Sequence, residues 1–196
     1  GVDEQDPEQV LFSFTDTVKA AGSDALIVHA RKAWLKGLSP RENRDVPPLD
    51  YALVHRLKAA HPDLAIVLNG GIATLEQAQA NLGALDGIMM GRAAYQEPWQ
   101  LLGVDPLFYG EDAPFTSPKA AALAFIPYIE RELAKGVRLH AITRHVLGLF
   151  RAVPGARAFR RHLSIEAVKP GAGVEVMADA LALVVDSPDD MAHIAA

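Results

Sequence analysis

Apolar residues recur at two periods along the first hundred positions, and the alternation between them predicts the architecture. Val10, Leu11, Phe14, Val18 and Ala21 follow helical spacing behind Asp6-Pro7, an N-cap and first-turn pair, and Gly22 ends the segment. Ala25 to Ala30 (ALIVHA) is a short unbroken apolar run, which predicts a buried strand. Asp50 caps the next helix, with Tyr51, Val54 and Leu57 inward, and Ala65 to Leu68 is a second strand. Thr74 N-caps a further helix in which Gln77 is expected to close a capping box on the Thr74 N–H, with Leu75, Ala78 and Leu82 on the inner face. Gly87 to Met90 is a third strand, and Ala93 to Leu102 a helix. Strands alternating with helices at this spacing predict parallel βαβ units with right-handed crossovers. Three strands buried on both faces make a poor sheet by themselves, so the pattern looks like part of a barrel or larger sheet whose earlier strands are missing.

The strand pattern then stops. Gly103 to Pro118 is rich in Pro and Gly, acidic and aperiodic, as expected of a domain boundary. Beyond it the period is helical, apart from a weak strand signal in ALVV at 182–185. Ser117-Pro118 caps a helix running to about Lys135 with Leu123, Ile126, Ile129 and Leu133 inward and a kink expected at Pro127. Arg138 to Phe150 is predicted as a second helix, Pro154 opens a third (PGARAFRRHLS), and Val174 to Val185 forms a fourth before a polar tail. The expected organisation is an α/β domain over 1–103, a linker over 104–117 and a helical bundle over 118–196.

Composition narrows the class. Half of the 196 residues are hydrophobic, yet no apolar run approaches the ~18–20 residues of a membrane span. There is no cysteine, which excludes disulfides, thiolate metal sites and a Cys nucleophile within these residues. The seven histidines show no ligand spacing, so no metal site is expected. The opening GVDEQDPEQ is acidic and lacks the apolar segment of a signal peptide, and it does not begin with Met, as at a processing boundary. Charge is unevenly divided. Between Arg131 and Lys169 nine Lys/Arg face only Glu132 and Glu166, a local +7 in a chain of −5, so the remainder carries −12. A basic block on an acidic protein reads as a docking face for a polyanion or as a solvated helical surface.

Candidate chemistry gathers at the ends of the predicted strands. Asn69-Gly70-Gly71 and Gly91-Arg92 each follow a strand and precede a helix, where glycine lets backbone N–H groups approach an anion and the helix dipole favours it. Paired loops of this kind form phosphate sites in parallel α/β proteins, and Arg92 adds a charge-assisted donor or, alternatively, a structural ion pair. His29, at the end of the first strand, faces the same side as a ligand contact or a structural hydrogen-bonder. The long loop Arg31 to Pro48 carries Arg41 and Arg44, suited to nucleic-acid phosphate or to salt bridges with Glu42 and Asp45. In the third bundle helix Arg157, Arg160 and Arg161 share one side, away from Phe159 and Leu163, as a solvated face or a nucleic-acid contact.

VHARKAWLKGLSPRENRDVPPLDY, LNGGI, DGIMMGRAAYQEPW and ITRHVLGLFRAVPGARAFRRHLS closely resemble the tRNA-dihydrouridine synthases of subfamily A. The resemblance extends from near the start of the chain to about Lys169. It implies an FMN-dependent (β/α)8 TIM barrel followed by a helical RNA-binding domain, reducing the 5,6 double bond of D-loop uridines around positions 20 and 20a of tRNA. NADPH is the reductant, and the setting is cytoplasmic. By resemblance His29, Asn69, Gly70, Gly71, Gly91 and Arg92 are the cofactor contacts, and Arg41, Arg44, Arg157 and Arg160 the tRNA contacts. The family's proton-donating cysteine and a flavin-contacting lysine belong to earlier strands, so the chain is expected to hold strands six to eight plus the helical domain and to be inactive alone. Two other readings are another FMN-dependent barrel oxidoreductase with a small-molecule substrate and a non-catalytic tRNA-binding module.

Overall fold

The structure, a computed structural model, describes residues 2–185; the polar tail anticipated after Val185 lies outside them. The chain divides into two compact units, Gly1–Gly91 and Arg92–Ala196. The division falls ahead of the composition change at 104–117, because the short helices that follow Gly91 belong with the second unit.

The first unit begins with helix α1 (Pro7–Ala20), where the Asp6 carboxylate accepts the Glu8 N–H at 2.9 Å. Its buried residue is Thr15, while Phe14, expected inward, is 57 % exposed. Strand β1 (Ala25–His29) leads through a loop to α2 (Tyr51–Ala60), capped by Asp50 on the Leu53 N–H at 2.9 Å. Strand β2 (Ala65–Asn69), helix α3 (Leu75–Leu82) and strand β3 (Gly87–Met89) complete the unit. The Thr74 hydroxyl accepts the Gln77 N–H at 3.2 Å. The return bond differs from the simple capping box, since Gln77 accepts from Ala73 N–H at 2.9 Å, one residue further out.

The three strands form one parallel sheet in the order β1-β2-β3. Register pairs Val28 with Leu68 and His29 with Asn69, and Asn69 in turn with Met89. Because side chains alternate across a strand, Val28, Ile66 and Leu68 point to one face, where they are buried. Helix α2 contacts β2, helix α3 contacts β3, and Leu53, Val54, Leu57, Leu75 and Ala78 complete that core. The opposite face carries Ile27, 60 % exposed, and Met89, 41 % exposed. The prediction of a fully buried first strand therefore fails: β1 is half exposed, and among the described residues it pairs only with β2.

At the other end of β2, Lys58 is 11 % exposed and donates to the Pro62 and Leu64 carbonyls. It also meets Asp86 at 2.8 Å, and Asp86 accepts the Ile66 N–H at 2.7 Å. These bonds, with Lys58 the larger cause, hold the Asp86 carboxyl below its ordinary range.

The second unit opens with α4 (Arg92–Gln96). The helix predicted to Leu102 stops early because Pro98, which has no N–H to continue the α ladder, starts a 3-10 turn (Pro98–Gly103). A short π-helix (Asp105–Tyr109) occupies part of the stretch expected to be aperiodic. Helix α5 (Pro118–Ala134) is capped by the Ser117 hydroxyl on the Ala120 N–H at 3.0 Å and runs through Pro127. Its inner stripe is set by Ala122 and Ile129, which leaves Leu123 half exposed. The helix predicted over Arg138 to Phe150 is only α6 (Leu139–Thr143). Beyond it the backbone makes successive short-range bonds, from Leu149 to Val146 and from Val153 to Phe150, and these turns bring Phe150 into the core.

Helix α7 (Ala156–Glu166) and helix α8 (Glu175–Ala182) close the core, and ALVV forms no strand. Phe150 and Phe159 meet edge to face with centroids 4.7 Å apart, among Ile129, Leu139, Leu163, Met177 and Leu181. Gly155, at φ +89°, lets α7 start directly against the end of α8: a Cβ there would lie 2.0 Å from the Leu183 carbonyl oxygen.

Candidate functional site

In the first unit, the carboxyl ends of β1 and β2 bring His29 beside Asn69-Gly70-Gly71. His29 and Asn69 are register partners. The backbone then turns through two consecutive left-handed residues, Gly70 at φ +120° and Gly71 at φ +71°. A Cβ on Gly70 would stand 3.3 Å from His29 Cε1 and 3.1 Å from a Leu49 methyl. One on Gly71 would stand 2.5 Å from the other Leu49 methyl and 3.3 Å from the Tyr51 hydroxyl. Both positions therefore require glycine, for conformation and for space. The Tyr51 hydroxyl donates to the Gly70 carbonyl at 2.7 Å and fixes the turn. Burial pushes the Tyr51 phenol up, against the opposing charge of Arg31, so it remains a protonated donor at neutral pH.

Gly91 differs from this pair. Its φ lies outside the left-handed region, and a Cβ there would meet nothing within 4 Å. Packing among the described residues does not demand glycine at 91. Arg92 is exposed and opens α4 in the second unit.

Sequence reasoning missed four contributors: Leu49 and Tyr51 under the turn, Met89 as the third member of the His29-Asn69 row, and Arg31. The chain leaves β1 at His29, and Arg31 and Leu49 form an antiparallel bridge as the long loop returns. The Asp50 N–H donates to the Ala30 carbonyl at 2.8 Å. Arg31 Nε and Nη1 are buried and have no hydrogen-bond partner among the described residues. Two like-charged arginines elsewhere in the loop attracted attention in the sequence, whereas Arg31 is marked only by its place two residues after His29.

The loop itself is ordered. Asn43 accepts the Trp34 N–H at 2.7 Å and donates to the Trp34 carbonyl at 2.8 Å. Glu42 accepts both the Ser39 N–H, at 2.8 Å, and its hydroxyl, at 2.6 Å, contacts that lower its carboxyl pKa, the hydroxyl bond first. Asp3 accepts the Leu35 N–H at 2.7 Å. Glu42 thus faces Ser39 rather than Arg41, which is exposed and has no ion pair among the described residues. Arg44 is exposed at the end of the short 3-10 turn Glu42–Arg44.

In the second unit the basic block separates into paired and unpaired members. Lys135 meets Glu132, Lys169 meets Glu166, and Arg151 meets Glu97. Arg157, Arg160 and Arg161 have no ion pair among the described residues. Arg157 and Arg161 are exposed and line an open groove of about 540 Å³ with His162, Ile165 and Leu183. Arg160 is half buried beside the core stripe of Phe159 and Leu163 and does not line the groove.

No helix among the described residues is long and apolar enough to cross a membrane, and none of their His, Asp and Glu residues form a group of three or more able to hold a metal ion.

A three-stranded parallel sheet with helices between its strands and a double-glycine turn at its carboxyl edge defines an α/β protein, and that edge is where sheets of this class take their ligands. The sequence model of the Dihydrouridine synthase (Dus) family matches residues 1–183, and the chain belongs to that family. It is 54 % identical over 177 residues to a tRNA-dihydrouridine(20/20a) synthase of Shewanella oneidensis, covering 90 % of this chain and 53 % of that protein. Proteins of the same name from Salmonella typhimurium and Escherichia coli K12 are 51 % and 50 % identical over 187 residues, each covering 95 % of this chain and 56 % and 54 % of the relative. The chain spans about half the length of the curated relatives it matches.

Proposed function

We propose that this chain is the carboxyl-terminal part of a cytoplasmic, flavin-dependent tRNA-dihydrouridine synthase acting on D-loop uridines around position 20. The observation that carries the reading is the family match over residues 1–183 together with relatives named for that reaction. The three parallel strands suit the end of a TIM barrel, and the helices between Pro118 and Ala182 suit the RNA-binding domain expected over 118–196.

The residues present suit a flavin mononucleotide. Gly70 and Gly71 form a cradle that a Cβ would fill, at the strand end where the backbone can meet a phosphate. Asn69, Gly70 and Gly71 hold the cofactor's phosphate end, the sequence pattern adds Gly91 and Arg92, and His29 contacts the cofactor beside Gly70. When bound and reduced by NADPH, the flavin would supply a hydride to the 5,6 double bond of uracil, and an added proton would complete the reduction. The chain's own part is to bind and orient: Tyr51 fixes the glycine turn, and Arg41, Arg44, Arg157 and Arg160 hold tRNA phosphates. The proton donor is expected outside these 196 residues, which contain no cysteine.

The test is dihydrouridine formation on unmodified tRNA with FMN and NADPH. The full-length protein is expected to turn over and the 196-residue chain alone to be inactive. In the full-length protein, replacing Arg157 and Arg160 by Ala is expected to weaken tRNA binding and flatten its salt dependence, with FMN affinity unchanged. Turnover by the isolated chain, or loss of FMN in the double variant, refutes the assignment. A non-catalytic tRNA-binding module would bind tRNA and purify without flavin, and a small-molecule flavoenzyme would bind flavin and ignore tRNA.

A further inference from the structure

We propose that Arg31 is an additional anion-binding residue of the glycine-turn site, and that its ligand is the phosphate monoester of the bound flavin cofactor. The inference rests on the flavoenzyme reading above and goes beyond it, because Arg31 is not among the residues which the family resemblance supplies.

The argument starts from an unmet need. A guanidinium is charged at every accessible pH. Nε and Nη1 of Arg31 are both buried and both without an acceptor among the described residues. A buried donor left unpaired costs more than a typical hydrogen bond contributes, and more when the group is charged. A fold retains such a group where a ligand supplies the acceptor. The surroundings say which kind. Arg31 is held by the bridge to Leu49, and the Leu49 side chain packs against the positions of Gly70 and Gly71. The charge of Arg31 acts on the Tyr51 phenol, whose hydroxyl is committed to the Gly70 carbonyl. Arg31, His29 and the double-glycine turn therefore belong to one neighbourhood at the carboxyl edge of β1 and β2, all within the first unit.

No carboxylate is paired with Arg31 among the described residues. The missing acceptor is thus an oxyanion that arrives with the ligand. Glycine N–H groups and a guanidinium together suit a phosphate, which offers several oxygens and up to two negative charges.

Flavin mononucleotide and riboflavin differ only in the phosphate, and this separates the proposal from a general effect on the site. The experiment measures binding of each by quenching of flavin fluorescence, in the full-length protein and its Arg31→Met and Arg31→Lys variants. The expected result is a loss of FMN affinity of about tenfold to a hundredfold in Arg31→Met. Riboflavin affinity stays unchanged, and Arg31→Lys falls between wild type and Arg31→Met. Inorganic phosphate is expected to compete with FMN in the wild type and to lose that effect in Arg31→Met. Far-UV circular dichroism of each variant serves as the folding control. Equal losses for both flavins, or no loss for either, overturn the role given to Arg31 while leaving the flavoenzyme reading standing. A wild type that binds neither flavin refutes that reading and the inference with it. Should Arg31→Met fail to fold, Arg31→Lys decides: selective weakening of FMN supports the proposal, and unchanged FMN affinity overturns it.

Discussion

The two units treat apolar surface in opposite ways. The second closes its helices on a core whose largest members, Phe150 and Phe159, are 1 % and 0 % exposed. The first covers one face of its sheet with α2 and α3 and leaves Ile27 and Met89 exposed on the other. Helices find partners among their neighbours in sequence, so α5 to α8 complete a core within about seventy residues. A parallel strand needs partners from elsewhere in the chain and cover on both faces. Among the described residues β1 has neither a second neighbour nor an outer layer. A half-covered sheet of this kind accords with the partial barrel proposed above, and the chain spans about half the length of its relatives.

The contrast is open to direct attack, because each unit carries one tryptophan, Trp34 in the first and Trp99 in the second. The largest expected effect is that of Gly155→Ala. The new Cβ would sit in a left-handed backbone and against the Leu183 carbonyl, for a cost of about 3 kcal/mol or more. Urea unfolding followed through Trp99, in a Trp34→Phe background, is expected to shift to much lower denaturant. The Trp34 signal, in a Trp99→Phe background, is expected to stay in place. A common shift would show that the units unfold together.

A smaller effect sharpens the two-faced sheet. Ile66→Ala empties a site that is 0 % exposed and is expected to cost about 2–5 kcal/mol. Ile27→Ala, at 60 % exposure in the neighbouring strand, is expected to cost less than about 1 kcal/mol in the same chain. Equal costs by Trp34-detected unfolding would mean that the outer face is covered after all.

The smallest effect concerns pH. Lys58 and the Ile66 N–H hold Asp86 below its ordinary value of 3.8. A carboxyl lowered on folding stabilises fully above its unfolded pKa, and that contribution is lost as pH falls through the folded value. The first unit is therefore expected to lose stability in acid below about pH 4, with a shallower slope in Asp86→Asn. Unfolding midpoints against pH check this, and an unchanged slope in the Asn variant would remove Asp86 from the account.

What the sequence discloses follows the range of the interaction. Asp6, Asp50, Thr74 and Ser117 were readable as caps because a cap bonds within three residues of itself. The three strands were found to within a residue at their ends. The helix faces were less accurate, since counting large apolar residues favoured Phe14 and Leu123, whereas the folded chain buries Thr15 and Ala122. The helix expected over 93–102 overlooks Pro98, a local breaker, whereas nothing local shows that the chain turns after Thr143. At the candidate site the glycine turn and His29 were legible, being strand-end features. Tyr51, Leu49 and the isolation of Arg31 were not, because they arise only when the loop after β1 comes back to bridge its own beginning.

That loop has a consequence for timing as well as for shape. Eighteen residues from Arg31 to Pro48, if unconstrained, would each forfeit about 1–2 kcal/mol of conformational freedom on being fixed. Asn43, Glu42 and Asp3 impose that restriction during folding. Under the function proposed above, a tRNA arriving at Arg41 would find the segment already set. Its association is then limited by encounter and orientation and not by a disorder-to-order step.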